Sequence, residues 1–147
     1  MSLSIKSILG ILLVSWLPFC ERNNTKKLLV NKWQFASINE IKKASQLDPK
    51  DLEKNTKEEQ EELDKMLQDI YSKSYYEFTK DKKYIINKTQ SREKGSWEFA
   101  EDGKRLLLTD SKGGSTILYI KELTNAKLTL AIGSDSLGKA MTLIPFK

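Results

Sequence analysis

The sequence predicts a mainly β protein: an eight-stranded antiparallel up-and-down barrel, with a helical insertion between strands one and two. Three observations carry this expectation. From Tyr75 to the C-terminus apolar residues recur with period two, the signature of half-buried strands. The turns joining them are too short for a crossover helix, so neighbours must run antiparallel. The stretch 39–74 breaks the pattern with charged residues at helical spacing. Eight such strands in chain order commonly close into a barrel, which removes exposed sheet edges. A sandwich of two sheets is the competing arrangement.

Taken in order, residues 28–37 (LLVNKWQFAS) form the first expected strand, with Trp33 and Phe35 on one face and Lys32 and Gln34 on the other. In the insertion, Asp48–Pro49 reads as a helix start, with Asp51 and Glu53 near the positive end of the dipole. Leu52, Leu63, Met66, Leu67 and Ile70 make a thin apolar stripe. The acidic run 58–63 reads as a solvated helix face, since it lacks the alternating oxygen ligands and central Gly of a calcium loop. Strands are then expected at 75–80, 84–89, 96–100, 105–110, 116–123, 127–132 and 140–146. The turns between them include EDGK (101–104), an Asp-Gly hairpin signal, and TNA (124–126). Pro145 fits a strand terminus.

The front of the chain gives an address. Residues 1–19 have the layout of a secretory signal peptide: Lys6, then an apolar run Ile8–Phe19 broken only by Gly10, Ser15 and Pro18. That run is short of the roughly 20 apolar residues a spanning helix needs. Cys20, the single cysteine of 147 residues, follows it directly, and a polar stretch, 20–27, reads as a tether. Leu17 three positions before Cys20 resembles the lipobox of bacterial lipoproteins, although Pro18 and Phe19 are bulkier than the small residues that motif carries. The resemblance implies that Cys20 is acylated, with a diacylglycerol thioether and a further acyl chain such as palmitate. The protein would then be exported and lipid-anchored in the bacterial cell envelope, at the periplasmic face or the outer membrane. The alternative is a signal that ends elsewhere and a cysteine without a role.

VNKWQF, with Trp33, is similar to the first strand of the lipocalin-like domain found in many small bacterial lipoproteins; Asn31 stands where that family usually has Gly. YYEFTKDKKYIIN resembles its strand–turn–strand, with Asp81-Lys82 in place of a frequent Asp-Gly. GSWEFAEDGKRLLL (95–108) and ELTNAKLTLAI (122–132) extend the likeness, which covers about residues 28–147.

Composition narrows the chemistry. Histidine is absent, which removes the usual general base and the commonest metal ligand. With Cys20 acylated there is no thiolate either, and KGGS (112–115) reads as a turn, not a phosphate cradle. No catalytic residue, metal site or cofactor is expected. The net charge of +5 is mild and scattered, and an exported protein does not ordinarily meet nucleic acid. The expected partners are therefore a membrane, reached through the lipid anchor, a small apolar ligand, and an envelope protein. The expected inward set is Trp33, Phe35, Tyr76, Phe78, Tyr84, Ile86, Trp97, Phe99, Leu106, Leu108, Leu128, Leu130, Ile132, Met141 and Leu143. Its aromatic members, Trp33, Phe35, Tyr76, Phe78, Tyr84, Trp97 and Phe99, are the candidate ligand contacts. Such a set describes a solid core as readily as an apolar pocket. Two functions follow: a lipid-anchored carrier of a small apolar molecule, or a non-enzymatic scaffold presenting its insertion to an envelope protein.

Overall fold

A computed structural model describes residues 18–45, 47–100, 103–133 and 139–147. The order is α1 (Pro18–Leu29), β1 (Lys32–Phe35), α2 (Ile38–Ala44), α3 (Pro49–Leu52), α4 (Lys57–Tyr71), β2 (Tyr75–Phe78), β3 (Lys83–Lys88), β4 (Ser91–Phe99), β5 (Arg105–Asp110), β6 (Ser115–Leu123), β7 (Leu128–Ile132) and β8 (Lys139–Pro145). Each strand pairs antiparallel with the next, and β8 returns to β1 through Trp33↔Pro145, Gln34↔Ile144 and Phe35↔Leu143. The sheet is a closed barrel, not a sandwich, and the helical insertion lies between β1 and β2.

The signal-peptide residues 1–17 lie outside the described residues, and the segment read as a tether is helical. The first strand starts later than its apolar pattern suggested. Leu28 and Leu29 end α1 instead of opening β1. The reason is a cap: the Trp33 indole N–H donates to the Leu29 carbonyl at 3.1 Å, satisfying one of the acceptors that a helix end leaves without a partner. Leu29 and Trp33 are both fully buried.

In the insertion, Ser37 caps α2 by accepting from the Glu40 N–H. The helix start expected at Asp48–Pro49 yields only the four-residue α3. The main helix, α4, begins at Thr56, whose side chain accepts from the Glu59 N–H while Glu59 accepts from the Thr56 N–H, a reciprocal capping box. One turn of the stripe is buried at Leu67, whereas Met66 is 51% exposed.

Strand boundaries follow the period-two pattern, with three instructive departures. β4 begins at Ser91, five residues before the expected Ser96, because residues 91–94 are exposed and carry no alternation to read. β6 has a bulge between Ile120 and Glu122, which turns Leu123 towards the core and leaves Glu122 outside, ion-paired to Lys127 at 2.7 Å. In the β2–β3 turn Lys82 takes φ 61°, the left-handed backbone that a glycine would adopt freely. Gly95 faces Tyr84 across the β3–β4 ladder; a Cβ there would sit 2.0 Å from the Thr109 carbonyl oxygen and 2.7 Å from the Tyr84 ring.

Candidate functional site at the barrel mouth

The two ends of the barrel are closed by different means. At one end the last turn of α1 inserts Leu29 beneath Trp33, with Val30, Phe99, Ile120 and Leu123 packed around the core. At the other end α2 and α4 lie across the mouth, nearest β8, β1 and the end of β3. Glu40 ties α2 down: its carboxylate accepts from the Thr142 backbone N–H at 2.7 Å, just beyond the point where β1 stops pairing with β8. The same carboxylate accepts from Lys43 Nζ at 2.7 Å. Lys42 pairs with Asp64 across α2 and α4 at 2.5 Å, Asn87 Nδ2 donates to the Lys73 carbonyl at 3.1 Å, and the Thr89 hydroxyl donates to the Ile70 carbonyl.

The candidate ligand contacts divide between these ends. Trp33, Phe78, Tyr84 and Trp97 are buried in a packed core with Leu106, Leu108, Leu118, Leu128, Leu130 and Leu143. Trp97 meets Phe78 and Phe99 edge-on, with centroids 6.2 and 5.6 Å apart. Phe99 is half-buried near the α1 end. Of the seven candidate contacts, Phe35 and Tyr76 line the cleft described at the mouth. Leu118 belongs to the core although the inward set omitted it, because the run ILYI gives no phase. Ile132 keeps its inward phase but is 57% exposed, since β7 ends there at the rim.

The cavity is a cleft of about 200 Å³ between the insertion and the barrel mouth. Phe35, Tyr76, Met141 and Ile132 supply its apolar lining, and Tyr71 of α4 closes one side. Phe35 packs edge-on against Tyr71 and Tyr76, with centroids 5.7 and 6.0 Å apart. Its polar lining is Lys43, Lys88, Lys139 and Ser74; none of its lining residues is acidic. Ser74 is 1% exposed, and its hydroxyl has no hydrogen-bond partner. A second cleft, about 400 Å³, runs between α4 and the β3–β4 hairpin along Leu63, Met66, Leu67 and Ile70, and shares Tyr71 and Lys88 with the first.

Behind the cleft the interior disfavours ionised phenols. Burial, reinforced by Tyr71 and Glu93, pushes the Tyr76 hydroxyl from 10.0 up to about 12. Burial, the hydrogen bond to Glu93 and the charges of Glu93 and Asp110 push Tyr84 up as well; its hydroxyl donates to Glu93 Oε1 at 2.5 Å. The KGGS turn offers no phosphate cradle, because its Lys112 and Gly114 N–H groups already donate to the Asp110 carboxylate at 2.7 and 2.9 Å. Among the described residues no group of three or more acidic or sulfur ligands gathers to hold a metal ion.

The closed eight-stranded topology agrees with what comparison with known proteins finds. A family model for the lipocalin-like domain matches residues 29–130. The chain belongs to the lipocalin-like domain family. Its backbone is also similar to the crystal structure of a DUF4847 family protein from Bacteroides vulgatus, with a TM-score of 0.54 and 11% identity over 82% of this chain and 94% of that one. No curated protein matches the chain.

A lipocalin-like barrel is a ligand-binding or scaffold fold, and the family is typically non-enzymatic. In this lipocalin-like barrel the residues that sequence reasoning missed are Tyr71, Ser74, Lys88 and Lys139. Each is polar or lies outside the apolar phase that was used to find the interior. Lys88 did carry a signal: it continues the inward phase of Tyr84 and Ile86 to the end of β3.

Proposed function

We propose that this protein is a lipid-anchored binding protein of the bacterial cell envelope that takes a small, largely apolar molecule into the cleft beneath its helical insertion. The observation that carries the reading is the asymmetry of the barrel: one end is solid with aromatic and leucine side chains, and the other holds a cleft of about 200 Å³ with an apolar floor. That volume lies below the roughly 300–1,000 Å³ of drug-sized sites, so the ligand is small.

Anchoring by an acylated Cys20 is supported by its place directly after the apolar run and by the lipobox-like Leu17. Among the described residues no helix is long and apolar enough to cross a membrane. Two or more acyl chains suffice for stable attachment.

Two experiments test the reading. In the first, binding of the neutral fluorophore N-phenyl-1-naphthylamine is measured on the full chain and on Ile132→Trp, which fills the rim at a position exposed enough to accept the ring. The wild type should bind and the variant should lose at least ten-fold in affinity; equal binding by both would place the ligand elsewhere. In the second, wild type and Cys20→Ala are grown with labelled fatty acid and the cells are fractionated. The wild type should carry label into membranes and the variant should carry none. Equal absence of label would end the lipoprotein reading.

One observation favours a second reading, a scaffold that presents the insertion to an envelope protein: Met66 stands 51% exposed beside the α4 groove. Met66→Lys would then abolish partner capture while leaving fluorophore binding intact.

A further inference from the structure

We propose that the ligand of the mouth cleft is an anionic amphiphile, a short apolar body with a carboxylate- or phosphate-type head, and that Lys88, Lys139 and Ser74 receive the head. The proposal rests on the reading that the cleft binds a ligand, and it names that ligand's class.

The charge of the lining is one-sided. Three lysines border the cleft, and none of its lining residues is acidic. Lys43 is already neutralised by Glu40 at 2.7 Å, and Glu40 is itself committed to the Thr142 N–H. Lys88 and Lys139 have no ion-pair partner among the described residues. Glu93, the acid that faces the same interior, is engaged by the Tyr84 hydroxyl and does not line the cleft. Two cations 51 positions apart in sequence are thus brought to one rim by barrel closure, each at the mouth end of its strand.

Ser74 supplies the independent observation. A buried hydroxyl without a partner forfeits its bonds to water and gains nothing in return, so native structures seldom leave one unmatched. Ser74 lies in the short link between α4 and β2, is 1% exposed and lines the cleft; its backbone N–H donates to the Tyr71 carbonyl at 3.0 Å, but its hydroxyl makes no hydrogen bond. A head-group oxygen from a ligand would satisfy it. Apolar residues lie beside this rim: Ile132 pairs with Lys139 across β7 and β8, and Met141 follows Lys139 two residues along β8. An apolar floor, a buried hydroxyl and a cationic rim together match an amphiphile with an acidic head, and they do not match a hydrocarbon or a cation.

The test uses displacement of N-phenyl-1-naphthylamine from the full chain by octanoate, octyl phosphate and octanol, which share a tail and differ in head. Either anion should displace the probe at least ten-fold more effectively than octanol, and high salt should narrow that gap. The stronger of the two anions assigns the head to the carboxylate or the phosphate class. In the Lys88→Gln/Lys139→Gln double variant the ratio of anion to octanol displacement should fall to parity. Ser74→Ala should lower the advantage of the preferred anion over octanol several-fold. Equal displacement by octanol and both anions in the wild type would overturn the head-group assignment while leaving the cleft as an apolar site. An anion advantage that persists in the double variant would overturn it too. A probe that fails to bind the wild type defeats the cleft reading itself, and the head-group proposal with it.

Discussion

The α1 end and the mouth of this barrel are built from the same eight strands and differ in almost every other respect. At the α1 end the interior is continuous: Trp33, Phe78, Trp97, Leu106 and Leu128 are at or below 2% exposure, and a tryptophan caps the helix that plugs it. At the mouth the strands run on past their apolar residues, so that residues 91–94 and 115–116 are exposed and Ile132 stands half in solvent. The cover there is a set of short helices held by a few polar ties. The lesson is a division of labour: packing at one end supplies stability that lets the other end remain incompletely filled.

The largest expected effect tests that division directly. Trp33→Ala should cost about 3–5 kcal/mol in urea unfolding, as large-to-small changes in packed cores do. Phe35→Ala, two residues along the same strand but half-buried at the mouth, should cost about 1–2 kcal/mol. Equal losses at the two positions would break the comparison.

Alkaline pH probes the mouth side. The folded state holds Tyr76 neutral up to about 12, above its ordinary 10.0. The associated stability is therefore complete below pH 10 and is lost as pH rises through about 12. At 1.36 kcal/mol per unit this amounts to about 2–3 kcal/mol. Urea melts between pH 9 and 12 should show the decline, and Tyr76→Phe should remove part of it. Stability that stays flat across this range would mean that solvent reaches the phenol freely.

Glu40 tests the ties. Glu40→Ala leaves the Thr142 N–H without its charged acceptor and should cost about 1.5–3 kcal/mol, with Glu40→Gln losing less because an acceptor remains. A loss confined to hydrogen-exchange protection of α2 and the start of β8 would sharpen the comparison, since the α1 end would stay closed.

The smallest effect is a gain. Lys82 holds left-handed backbone in the β2–β3 turn, at the α1 end, while its carbonyl accepts from the Trp97 N–H at 2.9 Å. Lys82→Gly should raise stability by up to about 1 kcal/mol, and should leave ligand binding unchanged. Destabilisation would show that the lysine side chain contributes more than its backbone costs.

What the sequence determined by itself was eight antiparallel strands in chain order, while the pairing of β8 with β1 decided for a barrel over a sandwich. Period two from Tyr75 onward, together with turns such as the one containing Gly103 at φ 67°, specified which residues are strands, and the short connections specified their order. Alternation reports burial on one face of one strand, so it succeeded wherever one face is dry. It failed where both faces are wet, as in residues 91–94, and where both are apolar, as in ILYI at 117–120. It also misplaced Leu28 and Leu29, because two leucines satisfy a helix end as well as a strand start until Trp33 reaches back to cap them. The candidate site was legible through its apolar residues, Phe35 and Tyr76 among the candidate contacts and Ile132 and Met141 in the inward set. Lys43, Lys88 and Lys139, the Ser74 hydroxyl and Tyr71 become one cleft only when register and closure bring the mouth ends of β1, β2, β3, β7 and β8 under the insertion. Local patterning records what each residue avoids, which is water or its absence. Which distant polar groups share a rim is set by the geometry of the closed sheet, and no local signal carries it.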